Sequence, residues 1–338
     1  MNSTLKPHLI VETLARQRKC MSPQKLCELF LAIGNFSEVF ALAFRHHYKV
    51  RHSRYCEELD KDNFVIATRR GLVFQFNKNF HIPALLRIAG RLIHEMDTEC
   101  PDEPWFEPFF EGLDDNECME YIQLGAGPRF LEKYLRNHDK LPKVEFGDFS
   151  LLDKLGSPQI DTLVIEEPSN DKNLKPCRIA AIECSKSIWT DVNPLGRRGA
   201  SLKYDKKFLK SFTTFGELNF NTVLRYVKTT FPKAEELAFC RVRIPDHDRD
   251  TTQECIDRLN TSVDDIWAAM LAHSGSVGVR IFYNPDSEMP MIHLTEACRN
   301  GLEGYTITED DNFLRCTTFK EEGNKKLAVI VYFSTSRF

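Results

Sequence analysis

Apolar side chains recur at helical spacing across residues 22–48 (Leu26, Leu29, Phe30, Ile33, then Phe40, Leu42 and Phe44). Ser22 is placed to cap and Pro23 to open the first turn, so the pattern predicts two helices broken near Gly34. The stretch NFVIATRRGLVFQF then groups β-branched and aromatic residues on either side of Arg69, Arg70 and Gly71, which predicts two short strands or one bulged strand. HIPALLRIAGRLIHEM and PRFLEKYLRNH read as amphipathic helices. Between them residues 98–118 form an acidic, Pro-rich and aromatic segment expected to be a surface loop.

Beyond residue 150 the period shortens. IDTLVI (160–165) and RIAAIEC (178–184) are strand-like runs joined by the polar EEPSNDKNLKP, which predicts a hairpin with a long connection. LKYDKKFLKSF reads as a basic amphipathic helix, ELAFCRVRI as a strand and SVDDIWAAMLAHS as a helix; VGVRIFYN and LAVIVYFS read as late strands. Helices and strands interleave without a linker. The expected fold is therefore α+β, a single domain over 1–338 with a mixed β core flanked by helices.

Composition narrows the class. The chain has 338 residues, 42% hydrophobic and 28% charged, and no run approaches the ~20 apolar residues of a membrane span. No membrane association is expected, and the N-terminal residues lack the apolar core of a secretory signal, so the protein is expected inside the cell. Eleven cysteines without a CxxC pair suggest reduced, mostly buried thiols. A net charge of −4 means that nucleic-acid binding would need a local basic stripe.

Such a stripe exists. Arg197, Arg198, Lys203, Lys206, Lys207 and Lys210 face one acid, Asp205, and suit a phosphate backbone, although a solvated helix face explains them too. Arg69 and Arg70 are a second, shorter candidate. Asp161 and Glu183 lie at the start and end of the two strand-like runs, where a hairpin would let both carboxylates hold a hard divalent ion; strand-end acids in contact with water are the plainer reading. Lys186 falls one place beyond a Glu-x-Lys spacing, and alternation puts Ser185 beside Glu183 instead. Trp105, Phe106, Phe109 and Phe110 either dock a partner or fold back onto the domain.

The stretch SPQIDTLVI…RIAAIECSKS…LKYDKKFLKSF resembles the DXO family of RNA 5′-end decapping exoribonucleases. RYCEELDKDNFVIATRRGLVFQF, GPRFLEKYL, and ELAFCRVRIPDHD followed by VDDIWAAMLAHS are similar to further family segments, so the likeness runs from about residue 25 to about residue 300. It implies a DXO decapping nuclease-like fold, a pocket where acids hold Mg²⁺ or Mn²⁺, and RNA 5′ ends as partner. Carried over by position, the family's acids become Leu131 (with Glu132 one residue on), Gln159, Asp161 and Glu183. The family's lysine becomes Ser185, its glutamine Thr214 and its early arginine Glu57. Asp161 and Glu183 are thus the implied catalytic residues, and Asp161, Glu183 and Glu132 the implied metal ligands. Two lost carboxylates and a lost lysine weaken ion binding and transition-state stabilisation.

The likeness is closer to degenerate, Cutoff-like members than to active ones. It implies a nuclear or partly cytoplasmic RNA-binding protein that protects or sorts transcripts such as small-RNA precursors beside nuclear RNA-processing or chromatin-bound proteins, with a weak or lost metal. An active Mg²⁺- or Mn²⁺-dependent hydrolase acting on abnormal or NAD-capped RNA is the first alternative. A protein-interaction module with a vestigial pocket is the second.

Overall fold

The computed structural model describes residues 7–17, 48–50, 64–68, 72–97, 100–123, 126–145, 155–156, 158–165, 177–184, 196–197, 200–201, 207–245, 250–287, 289–310 and 313–335, with single residues between 25 and 42. These residues form seven α-helices and a mostly parallel set of strands, a mixed α+β architecture. Most of the expected helix pair over 22–48, together with Arg69, Arg70, Arg198, Lys203 and Lys206, lies outside the described residues. The chain gathers into two compact units, Met1–Phe146 with Ser150–Asp161, and Gly147–Phe149 with Thr162–Phe338.

Unit 1 begins with helix α1 (Pro7–Gln17). Its strands are β1 (Tyr48–Val50), β2 (Phe64–Thr68), β3 (Val73–Phe76), β4 (Glu95–Met96), β5 (Tyr121–Ile122) and β6 (Lys140–Glu145), ordered β6-β5-β4-β1-β2-β3. Of the two expected readings the structure has two short strands, β2 and β3, which pair antiparallel with Phe64 opposite Phe76 and Ile66 opposite Phe74. Helices α2 (Pro83–Leu92), α3 (Glu107–Leu113) and α4 (Gly127–Leu135) complete it.

The expected surface loop over 98–118 needs correcting. A 3₁₀ turn at Pro104–Phe106 leads into α3, and Phe106, Phe109, Phe110 and Leu113 are buried. Phe64 packs edge-on against Phe106 and Phe109 at 4.4 and 5.4 Å. The cause is a close helix approach: a Cβ on Gly90 would lie 2.0 Å from the Phe109 carbonyl oxygen, and one on Gly112 would lie 1.9 Å from that of Arg87. Two glycines let α2 and α3 touch backbone to backbone, and the phenylalanines fill the space around them. An exposed aromatic docking patch is therefore absent at Phe106, Phe109 and Phe110.

Unit 2 takes up the later part of β7 (Gln159–Ile165) and continues with β8 (Arg178–Cys184), the short pair β9 (Gly196–Arg197) and β10 (Ala200–Ser201), and β11 (Ser211–Asn219). Helix α5 (Phe220–Arg225) runs into a π-helical turn, Tyr226–Thr230. Then come β12 (Glu236–Arg243), α6 (Thr252–Ala272), β13 (Ser276–Tyr283), β14 (Asp286–Ser287), α7 (Met291–Gly301), β15 (Thr306–Asp310), β16 (Phe313–Glu322) and β17 (Lys325–Thr335). The order is β15-β16-β17-β13-β12-β11-β8-β7, with β8, β11, β12, β13 and β17 running parallel. Parallel neighbours need crossovers, which α5 supplies between β11 and β12 and α6 between β12 and β13.

The helix expected over LKYDKKFLKSF is a second correction. Its described residues form a turn at Lys207 and Phe208 and then enter β11. From Ser211 onward burial alternates strictly, Phe212, Thr214 and Leu218 facing the core while Thr213, Phe215 and Glu217 face out. Period-two alternation of aromatic and β-branched residues outweighs the three apolar positions that fit a helix.

Candidate functional site

Asp161 opens on a cleft of about 1200 Å³ formed entirely by unit 1. Its rim is the 114–119 turn after α3, and its wall is the end of α4 with the start of β6 and β7. One buried amide fixes the rim. Asn116 Nδ2 donates to the carbonyls of Gly90 (2.7 Å) and Ile93 (2.9 Å), while Oδ1 accepts from the backbone N–H groups of Cys118 and Met119, both at 2.8 Å. All its capacity is used, as a buried amide requires.

His138 ties rim to wall. Its ring nitrogens lie 2.8 Å from the Tyr134 carbonyl and 2.7 Å from that of Asn116, and the ring stacks on Tyr134 with centroids 4.0 Å apart. Burial, and then the nearby negative charge of Asp161, push the Tyr134 phenol up to about 12. That phenol stays neutral at physiological pH and can donate a hydrogen bond into the cleft.

Of the implied ligands, Asp161 is the one that lines the cleft. Asp161 is held by Lys140, Nζ to Oδ2 2.6 Å, and Gln159 lines the cleft beside it on the same strand. Leu131, at one of the implied acidic positions, is buried on the core side of α4 with Phe130 and Tyr134, so that position belongs to packing. Glu132, one helical step on, is exposed and does not line the cleft. Glu183 belongs to unit 2, where it stands opposite Thr213 on the face away from buried Ile182 and Cys184. Among the described residues no three His, Cys, Asp or Glu side chains gather as a metal-ligand group. A hard divalent ion is held by several convergent oxygen ligands, and the described residues gather no such group around Asp161.

Compared with protein-family models, curated proteins and solved structures, the chain matches none.

Cys184 is buried beside Glu183, and burial, then that neighbouring charge, push its thiol up to about 12, which removes it as a nucleophile. Thr214, at the implied glutamine position, is buried and donates to the Gly216 carbonyl. Of the basic stripe, Lys210 is exposed 3.7 Å from Glu235, Lys207 is exposed in the turn before β11, and Arg197 lies in β9. The cleft itself is acidic: Asp114, Asp115, Glu117, Asp139 and Asp161 outnumber Arg91 and Lys140.

Sequence reasoning missed one group. Arg241, Arg243 and Arg280 share a face with Phe282 at the centre of the unit 2 sheet. The run CRVRI carried the signal, but strict alternation from Leu237 and Phe239 would turn Arg241 and Arg243 into the core.

Proposed function

We propose that this protein holds RNA 5′ ends without hydrolysing them, protecting or sorting transcripts, with a metal site too depleted for catalysis. The observation that carries the reading is the fate of the implied acids. Asp161 is paired with Lys140, Leu131 is core, and Glu132 does not line the cleft. The likeness of SPQIDTLVI…RIAAIECSKS to the DXO family supports an RNA end as ligand. The same residues argue against turnover, because a hydrolase needs several carboxylates free to bind an ion and activate water.

The test is to incubate the purified protein with 5′-triphosphate, methyl-capped and NAD-capped short RNAs in Mg²⁺ and in Mn²⁺, following both product release and RNA retention. An Asp161→Ala/Glu183→Ala variant runs alongside. Retention without product, unchanged in the variant, is the expected result. Metal-dependent product that the variant abolishes would sink the reading and make this a decapping hydrolase.

A further inference from the structure

The helices of unit 2 pack on one side of its sheet, where Leu237, Phe239, Val242, Val277, Val279, Ile281 and Val329 are buried. The opposite side is different in kind. A β-bulge sets its chemistry: Phe239 pairs with Val279 and Val242 with Ile281, so Cys240 and Arg241 together oppose Arg280. That extra residue reverses the alternation of β12. Val242 turns inward, and Arg241 and Arg243 turn outward, 55% and 58% exposed.

Register then builds a patch. Arg243 lies opposite Phe282, and Phe282 opposite Ile330 on β17. Arg241 stacks its guanidinium 5.8 Å from the centroid of the Phe282 ring. Arg280 is exposed in the next row, opposite Ala328, which faces the 59% exposed Phe319 on β16. Farther along, Arg315 stands 5.9 Å over Tyr332. Among the described residues Glu217 is the acid that reaches Arg241 and Arg243, at 3.9 and 3.6 Å, and one carboxylate cannot neutralise three guanidiniums.

We propose that this sheet face binds a single strand of RNA, with Arg241, Arg243 and Arg280 on successive phosphates and bases stacked on Phe282 and Phe319. It rests on the RNA reading above and assigns the strand a path that reading did not contain. Charge selects the occupant. In a chain of net charge −4, three clustered guanidiniums favour a polyanion, and flat aromatic rings between them fit bases better than carboxylates. Strand side chains on a rigid sheet also hold these groups in fixed rows, as base stacking requires.

The test measures binding of an RNA of about 12 nucleotides, in 5′-triphosphate and 5′-hydroxyl forms, by fluorescence anisotropy across a salt series. The proteins are wild type, Arg241→Gln/Arg243→Gln/Arg280→Gln, Phe282→Leu, and a charge-matched control, Arg225→Gln/Lys228→Gln/Lys233→Gln. Circular dichroism melting verifies that each is folded. Losing three phosphate contacts is expected to weaken binding by about 100-fold or more near 50 mM salt and to flatten the salt slope by about two. Phe282→Leu keeps apolar bulk but removes a stacking ring, and is expected to weaken binding about tenfold. The control stays near wild type.

Equal affinity of wild type and either sheet-face variant overturns the assignment. If wild type prefers the triphosphate while the arginine variant is unaffected, the end-binding reading stands and the sheet face falls. If wild type binds both RNA forms equally and the arginine variant loses both, the sheet face stands and the end-binding reading falls. Absence of RNA binding, or binding of poly-glutamate in its place, overturns both.

Discussion

The cleft of unit 1 and the sheet face of unit 2 carry opposite signs. In the cleft five carboxylates, Asp161 among them, face Arg91 and Lys140, whereas around Phe282 three arginines face Glu217. A polyanion entering the cleft meets repulsion, and on the sheet it meets attraction with stacking surfaces alongside. Residues that resemble a catalytic centre therefore need not mark where phosphates are best accommodated.

The largest expected effect breaks the cleft itself. Gly112→Ala puts a methyl group into the Arg87 carbonyl, where only backbone could yield, and should destabilise the protein by about 3 kcal/mol or more in denaturant titration. Asn116→Ala leaves two carbonyls and two N–H groups of the rim without their partner. A loss of about 2 kcal/mol is expected, read as a lower denaturation midpoint at unchanged slope.

Sharper but smaller tests address charge. Asp114→Asn/Asp115→Asn/Glu117→Gln removes three cleft acids and should raise RNA affinity about threefold at low salt, with no gain at high salt. Lys140→Met should cost under about 1 kcal/mol of stability, because both partners of its ion pair are well exposed. Asp161→Asn removes the smaller of the two causes acting on Tyr134, so its phenol should titrate below about 12 yet above an ordinary tyrosine, as ultraviolet absorbance difference spectra would register.

The smallest effect lies in α6, which belongs to neither region. In the capping box of α6, Glu254 accepts from the Thr251 N–H (2.7 Å) and hydroxyl (2.8 Å), which holds its carboxyl below the ordinary 4.5. A depressed acid contributes stability above its unfolded value and loses it as pH falls through the folded one. Glu254→Gln should therefore lower stability slightly at neutral pH, flatten its fall below pH 4.5 and converge with wild type in acid.

Local pattern made much of this fold legible. β2, β3, β7, β8, β12, β13 and β17, with α2, α4 and the second half of α6, follow from periodicity alone. What was not legible depends on distant partners. The 98–118 segment looks like a loop by its prolines and acids, and becomes core because Gly90 lets Gly112 approach. Leu202, Phe208 and Leu209 fit a helix stripe, yet pairing with β8 and β12 draws residues from Ser211 onward into a strand. The outward turn of Arg241 and Arg243 exists only because β12 carries one residue more than β13 between shared register points. Of the candidate site, the place of Asp161 on a strand was legible, but its Lys140 partner, 21 residues earlier, was not.

The most direct test of the contrast between the two regions is photocrosslinking of a 4-thiouridine-containing single-stranded RNA to the wild-type protein, with adducts located by peptide mass spectrometry. Adducts on peptides spanning 236–243 and 276–283 are the expected result; adducts confined to 114–119 and 134–140 would contradict the account and return the RNA to the acidic cleft.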